Sequence, residues 1–226
     1  MARRIEQLSD GRVRLHGASS RKGIVVGLLL LLFGAVWTGF MWFPISHNWS
    51  DRGASKWFGI LFIGLFALVG VGALLLGILL IINSILVGQK IMAPVLTIDR
   101  QPLRLGERFT VAYEQQTRKD CEVNKVTLKL TCKEWVRYTV GTNTRTAKHT
   151  VSEIEQVVLE NTLAQPGCPI TGEAEFEIAP EAMHSFDAPN NKVQWTLSVH
   201  TDIARWPDYT DELNIKVAPR LPAPAG

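Results

Sequence analysis

Two long apolar runs dominate the first ninety positions of the chain. The first, residues 24–43, reads IVVGLLLLLFGAVWTGFMWF and contains no ionisable side chain. The second, residues 57–87, is longer and is also uncharged. At about 1.5 Å per helical residue the first run measures roughly 30 Å, the thickness of the hydrocarbon core of a bilayer. The pattern therefore predicts two transmembrane helices that a short connection joins into a hairpin.

The second part of the chain has a different pattern, because apolar and polar residues alternate there in short segments. In the clearest segment one face holds Val126, Leu128, Leu130 and Cys132, and lysines occupy the other. Such a period of two is typical of a half-buried strand. About eight segments of this kind predict an all-β, antiparallel, two-layer sandwich over residues 93–218. Residues 148–163 fit either a helix or a strand, and their neighbours favour a strand.

Basic residues predict how the two spans are oriented. Six lie in residues 1–23 and four follow the second span, at Lys90, Arg100, Arg104 and Arg108, whereas the connection carries only Arg52 and Lys56. Cytoplasmic flanks of transmembrane helices are enriched in lysine and arginine. We therefore expect an integral membrane protein with two spans and with both termini in the cytoplasm. The compact chain and its lack of an organelle-targeting signal favour the plasma membrane of a bacterium.

Residues 1–23 are interpreted as a basic cytoplasmic tail, and a small hairpin around Ser9-Asp10-Gly11 is the alternative. A cleaved signal peptide is disfavoured, because its apolar stretch is normally 7–15 residues long. The chain has a formal net charge of +3, but from residue 88 onward it carries sixteen basic and eighteen acidic residues. With the positive charge beside an apolar run, lipid is favoured over nucleic acid as a partner. The proline-rich residues 219–226 are typical of a flexible tail.

Little in the two spans points to transport, since Thr38, Asn83 and Ser84 are their only clearly polar interruptions. The hairpin is therefore interpreted as an anchor. Small residues spaced four apart allow helices to approach closely. This spacing predicts helix packing at Ala35, Gly39, Ala73 and Gly77, and the alternative is incidental occurrence, because glycine and alanine are common in any apolar span. Asn48-Trp49-Ser50 matches a glycosylation sequon, which is interpreted as coincidental because it lies so close to the membrane.

The segments Gly172–Pro180, Ser185-Phe186 and Val193–Asp202 together resemble part of an arrestin-like domain. In that pattern a strand ends near a proline, a Ser-Phe loop follows, and an alternating strand with an aromatic residue ends before an aspartate. The similarity extends to a closing strand over residues 211–217. It implies an immunoglobulin-like β-sandwich that acts as a non-catalytic adaptor for other proteins. Arrestins carry two such sandwiches and are soluble, and this chain has room for only one beside its anchor.

No catalytic, cofactor-binding or metal-binding motif is identified. The five histidines are scattered, and His200 with Asp202 lacks a third ligand, so a solvated strand end is favoured over a metal site. Three cysteines without CxxC spacing do not form a disulfide framework. Glu173, Glu175 and Glu177 are interpreted as the polar face of a strand.

The best candidate for partner binding is the loop that contains Arg205, Trp206, Asp208 and Tyr209, because such residue types are enriched in binding hot spots. The alternative is that Trp206 caps one end of the sandwich. The sequence thus predicts a membrane-anchored, non-enzymatic module that binds an unidentified protein. An accessory subunit of a transporter or envelope-assembly complex, and an enzyme with a dispersed active site, are the alternatives.

Overall fold

A computed structural model describes residues 5–17, 21–47 and 54–220 of the chain, with side chains in 5–17, 23–40 and 61–220. The chain divides into two compact units. One is formed by residues 19–88, and the other combines the residues before them with those after them. The sequon at Asn48 and the end of the proline-rich tail, residues 221–226, lie outside the described residues.

The first unit consists of two long helices, α1 (Arg21–His47) and α2 (Ala54–Lys90). Both are long and apolar enough to cross a membrane, judged by length and composition. Their apolar side chains face outward to an extent unusual for a folded protein, with Leu61 74% and Phe40 69% exposed. The two predicted apolar runs thus form helices, and each helix extends beyond its run at both ends.

The two helices approach each other closely at paired glycines. A methyl group added at Gly27 would lie 2.7 Å from the carbonyl oxygen of Gly77, and one added at Gly34 would lie 2.8 Å from that of Gly70. Side chains at these points would force the backbones apart. On each helix the two glycines are seven residues apart, which is the repeat of left-handed antiparallel helix pairs.

Only part of the predicted helix-packing set lies at this contact. Gly77 is there, and Ala73 is half-buried. Ala35 and Gly39 are exposed, and no atom lies within 4 Å of a methyl group placed on Gly39. In α1 the spacing of four residues did not identify the contact, because a seven-residue repeat places Gly27 and Gly34 on the contact face instead.

The second unit is the predicted two-layer β-structure. One sheet contains β1 (Ile5–Gln7), β2 (Val13–His16), β3 (Val95–Ile98), β5 (Arg108–Gln115) and β8 (Ile170–Glu177), in that spatial order. The other has the order β11 (Tyr209–Ile215), β10 (Asn191–Ile203), β6 (Cys121–Val140) and β7 (Asn143–Ala164), and β9 (Phe186–Ala188) also pairs with β10. The short strands β4 (Leu103–Arg104) and β12 (Val217–Ala218) form a parallel pair.

The core lies between the two sheets and follows the alternation seen in the sequence. Leu128 and Leu130 of β6 are fully buried, as are Leu96 and Ile98 of β3. The predicted segment around Trp135 continues the same strand, so that β6 runs unbroken through both predicted segments. Residues 148–163 are extended within β7, which confirms the strand interpretation.

The interpretation of residues 1–23 as a tail is wrong for its central part. Residues 5–16 form the hairpin β1–β2, the alternative considered from the sequence, and β2 is a central strand of the first sheet. Val13 is paired with Ile98, and Leu15 with Leu96; the side chain of Leu15 is only 1% exposed. The helical hairpin is therefore an insertion between two hydrogen-bonded neighbours of one sheet.

Candidate interaction surfaces

The loop predicted to bind a partner connects β10 to β11, and its side chains divide into two groups. Arg205 and Asp208 are exposed, and Arg205 adopts a left-handed backbone conformation with φ of 57°. Tyr209 is 4% exposed and begins β11. Trp206 is half-buried, and the Lys90 Nζ atom lies 4.4 Å from the centre of its ring. Part of the Trp206 side chain is thus covered by contacts within the sandwich unit.

The chain segment that follows α2 is fastened to the sandwich close to this loop. The backbone N–H of Arg118 donates to the carbonyl of Lys90 over 2.7 Å, and that of Met92 donates to Gln116 over 2.9 Å. Ile91 and Thr117 form an isolated antiparallel bridge between these bonds. Residues 90–92 are therefore held against the end of β5.

A buried polar cluster lies beneath this attachment. The side-chain amide of Gln115, 1% exposed, donates to the Met92 carbonyl over 2.7 Å. Its amide oxygen accepts hydrogen bonds from the hydroxyl groups of Tyr113 and Thr201, the latter over 3.1 Å. Burial raises the pKa of Tyr113 well above its usual range, so the phenol stays protonated as a donor. No local pattern in the sequence marks a glutamine that faces the core, so this cluster could not be predicted.

The outer face of the second sheet carries a shallow polar groove of about 450 Å³, lined by Lys125, Lys129, Glu155, His200 and Asp202 among others. The Nδ1 atom of His200 is 3.0 Å from the Thr210 hydroxyl oxygen, and its Nε2 atom is 3.6 Å from an Asp208 carboxylate oxygen. Charges of both signs thus lie close together in the groove.

His200 and Asp202 both line this groove, as expected for residues two apart on one strand. The Asp202 carboxylate accepts a hydrogen bond from the Asn124 amide over 2.9 Å. Among the described residues, no group of three histidine, cysteine, aspartate or glutamate side chains is placed to hold a metal ion.

The three cysteines differ in environment. Cys121 and Cys132 are buried, whereas Cys168 is exposed in the turn between β7 and β8. Burial raises the pKa of Cys132 to about 11, so its thiol is unreactive at neutral pH. The expected core position of Cys132 is therefore confirmed.

The acidic residues of β8 form a solvated face, as the sequence predicted. Glu173, Glu175 and Glu177 are exposed, whereas Ala174 and Phe176 between them are buried. The Glu177 carboxylate pairs with the Nε atom of Arg108 on β5 at 2.8 Å.

The hairpin of β6 and β7 extends past the other strands. Its end, residues 135–148, is named here the distal arm. Strand β10 pairs with β6 only as far as Val136, and the last bond to that side is from the Arg137 N–H to the Asn190 carbonyl, over 2.8 Å. Tyr138 is 44% and Val140 53% exposed.

Comparisons with known proteins show a likeness to solved structures. No protein-family model matches the chain, and no curated protein sequence matches it. Spo0M, a sporulation control protein from Bacillus subtilis, is similar to 57% of this chain with 14% sequence identity and a TM-score of 0.41. The match spans about half of the Spo0M chain, 48% of its length. The two-layer β-structure rests on the strand pairing described above, and its arrestin-like character stays a prediction.

Proposed function

We propose that the chain is a membrane-anchored, non-enzymatic module that presents a β-sandwich at the cytoplasmic surface of a membrane and binds another protein there. Two transmembrane helices, α1 and α2, form the anchor. Their outward-facing apolar side chains support this role, because water would solvate such surfaces at a large free-energy cost and lipid would not.

The observation that carries the proposal is the pairing of β2 with β3 across the helical insertion. These strands exchange hydrogen bonds in one sheet, so the residues before α1 and after α2 must lie on the same side of any membrane. Two crossings meet this requirement, and a single crossing does not. The basic residues on both flanks favour the cytoplasmic side.

Two of the four residues predicted to contact a partner, Arg205 and Asp208, are exposed on the loop between β10 and β11. Holding this surface at a membrane would raise its effective concentration toward membrane-associated partners. The partner role is therefore proposed for the sandwich and not for the helices.

The topology is tested by labelling thiols in intact cells with a maleimide that cannot cross membranes. The native Cys168 is exposed and should react only after the membrane is permeabilised, because it belongs to the sandwich. A cysteine introduced in the connection, Asp51→Cys in a Cys168→Ser background, should react from outside without permeabilisation. The proposal fails if Cys168 reacts in intact cells, or if the protein partitions into the aqueous fraction without detergent.

A further inference from the structure

The distal arm combines positive charge with exposed apolar side chains. Its fourteen residues include Arg137, Arg145 and Lys148 and no acidic residue, although acidic residues outnumber basic ones from residue 88 onward. Charge of one sign is therefore concentrated at one end of the sandwich unit.

Strand pairing sorts these side chains onto two faces. Residues directly opposite each other in an antiparallel pair project to the same side. Val136, Tyr138 and Val140 lie opposite Ala147, Arg145 and Asn143, which gives a mainly apolar face. On the other face Trp135 lies opposite Lys148, and the Arg137 guanidinium is 5.8 Å from the centre of the Trp135 ring.

The arm also has backbone groups available for pairing. β7 is the last strand in its sheet, and residues 143–150 pair only with β6 in the described part of the chain. An extended segment can add to such an edge through main-chain hydrogen bonds, with specificity from alternate side chains.

We propose that the distal arm docks an acidic, amphipathic segment of a partner protein, which adds as a strand to the free edge of β7. Acidic side chains on one face of that segment would meet Lys148 and Arg137. Apolar side chains on its other face would pack near Tyr138 and Val140. This proposal rests on the proposed function, because it names the surface and the chemistry of the partner.

The free backbone edge of β7 favours a peptide partner over a lipid surface, because lipid cannot complete main-chain hydrogen bonds along a strand. A second copy of the arm is disfavoured by like charge along its edge. Nucleic acid is disfavoured because only three cations are present, and phosphate recognition would not use the free backbone edge.

The test uses the full-length protein in nanodiscs of zwitterionic lipid and a fluorescein-labelled peptide of alternating glutamate and valine. The peptide should bind, and lysine in place of glutamate should abolish binding. Reversing charge at Arg137→Glu, Arg145→Glu and Lys148→Glu should weaken binding about tenfold or more. The matched control reverses three exposed cations elsewhere, Arg104→Glu, Arg118→Glu and Lys119→Glu, and should leave affinity within about twofold.

Hydrogen exchange gives a readout that does not depend on any variant. The peptide should slow amide exchange in residues 143–150 of the wild-type protein, because new backbone bonds form there. Equal binding by the arm and control variants, unchanged exchange, or preferential binding to anionic vesicles or RNA would overturn the proposal. Labelling of Cys168 in intact cells, before and after permeabilisation, reports the topology separately, so failure of the arm and failure of the anchor are distinguished.

Discussion

The buried amide of Gln115 is expected to hold the segment after α2 to the sandwich, and replacing it by leucine should destabilise the sandwich. Leucine has a similar volume but no polar atoms. It would remove the donor to the Met92 carbonyl and the acceptor for the hydroxyl groups of Tyr113 and Thr201.

The expected loss follows from the groups left unpaired. The Tyr113 and Thr201 oxygens are 3.5 Å apart and can bond to each other, so only one of the two hydroxyl groups is left without an acceptor. The Met92 carbonyl, in a partly buried hydrogen bond, loses the Gln115 amide as its donor. An unpaired buried group costs about 1–3 kcal/mol, and burial of leucine offsets roughly 1 kcal/mol. For the two unpaired groups together, less this offset, the free energy of unfolding should fall by about 1–5 kcal/mol, with a central value near 3 kcal/mol.

Urea unfolding in detergent micelles measures this loss when buried thiols serve as the reporter. In a Cys168→Ser background, Cys121 and Cys132 are both buried and should react with a maleimide only on unfolding. With a urea m value of about 1–3 kcal/mol/M, Gln115→Leu should lower the midpoint by about 1 M or more. The neighbouring exposed Gln116→Leu is the matched control and should change it little. Equal shifts in the two variants would refute the assignment.

Two further predictions concern the helix contact and a buried thiol. Gly77→Ile should force α1 and α2 apart and speed their amide exchange about tenfold or more. The control Gly72→Ile should not, because a side chain at Gly72 points into open space. Equal amide exchange in the two variants would contradict the helix contact. Burial raises the pKa of Cys132 from 9.0 to about 11, so the folded state favours the protonated thiol; its contribution to stability is complete below pH 9 and is lost as the pH rises to 11. Stability should therefore fall more steeply over that range in the wild type than in Cys132→Ala, and parallel curves would exclude this linkage.

The features of this fold that could be predicted are those with a local signature. The apolar runs that became α1 and α2 need only length and hydrophobicity to be recognised. The alternation of Leu128 and Leu130 with lysines identifies both the strand and its buried face. A shift of one residue in strand register would turn the leucines toward solvent and the lysines toward the core.

The features that could not be predicted depend on what lies opposite in space. Gln115 is the last residue of β5, a position where polar residues are common, and its burial is decided by Thr201 and Met92, which are distant in sequence. For the same reason, the sequence could not show which of the four residues predicted to bind a partner are exposed and which are buried. Tyr209 and Arg205 belong to one short stretch, but only Tyr209 faces the core.

The hairpin β1–β2 shows most clearly why pairing distance matters. Each strand is only three or four residues long, so neither carries enough alternation to be recognised alone. β2 is stabilised by β3, with Val13 and Leu15 buried, yet residues 17–94 separate the two strands in the chain. Because the ends of that insertion are brought together by the helix contact at Gly27 and Gly77, α1 and α2 lower the entropy cost of closing the loop between β2 and β3. Formation of the helical hairpin and completion of the first sheet therefore favour each other, and the helical hairpin contributes to the connection between β2 and β3.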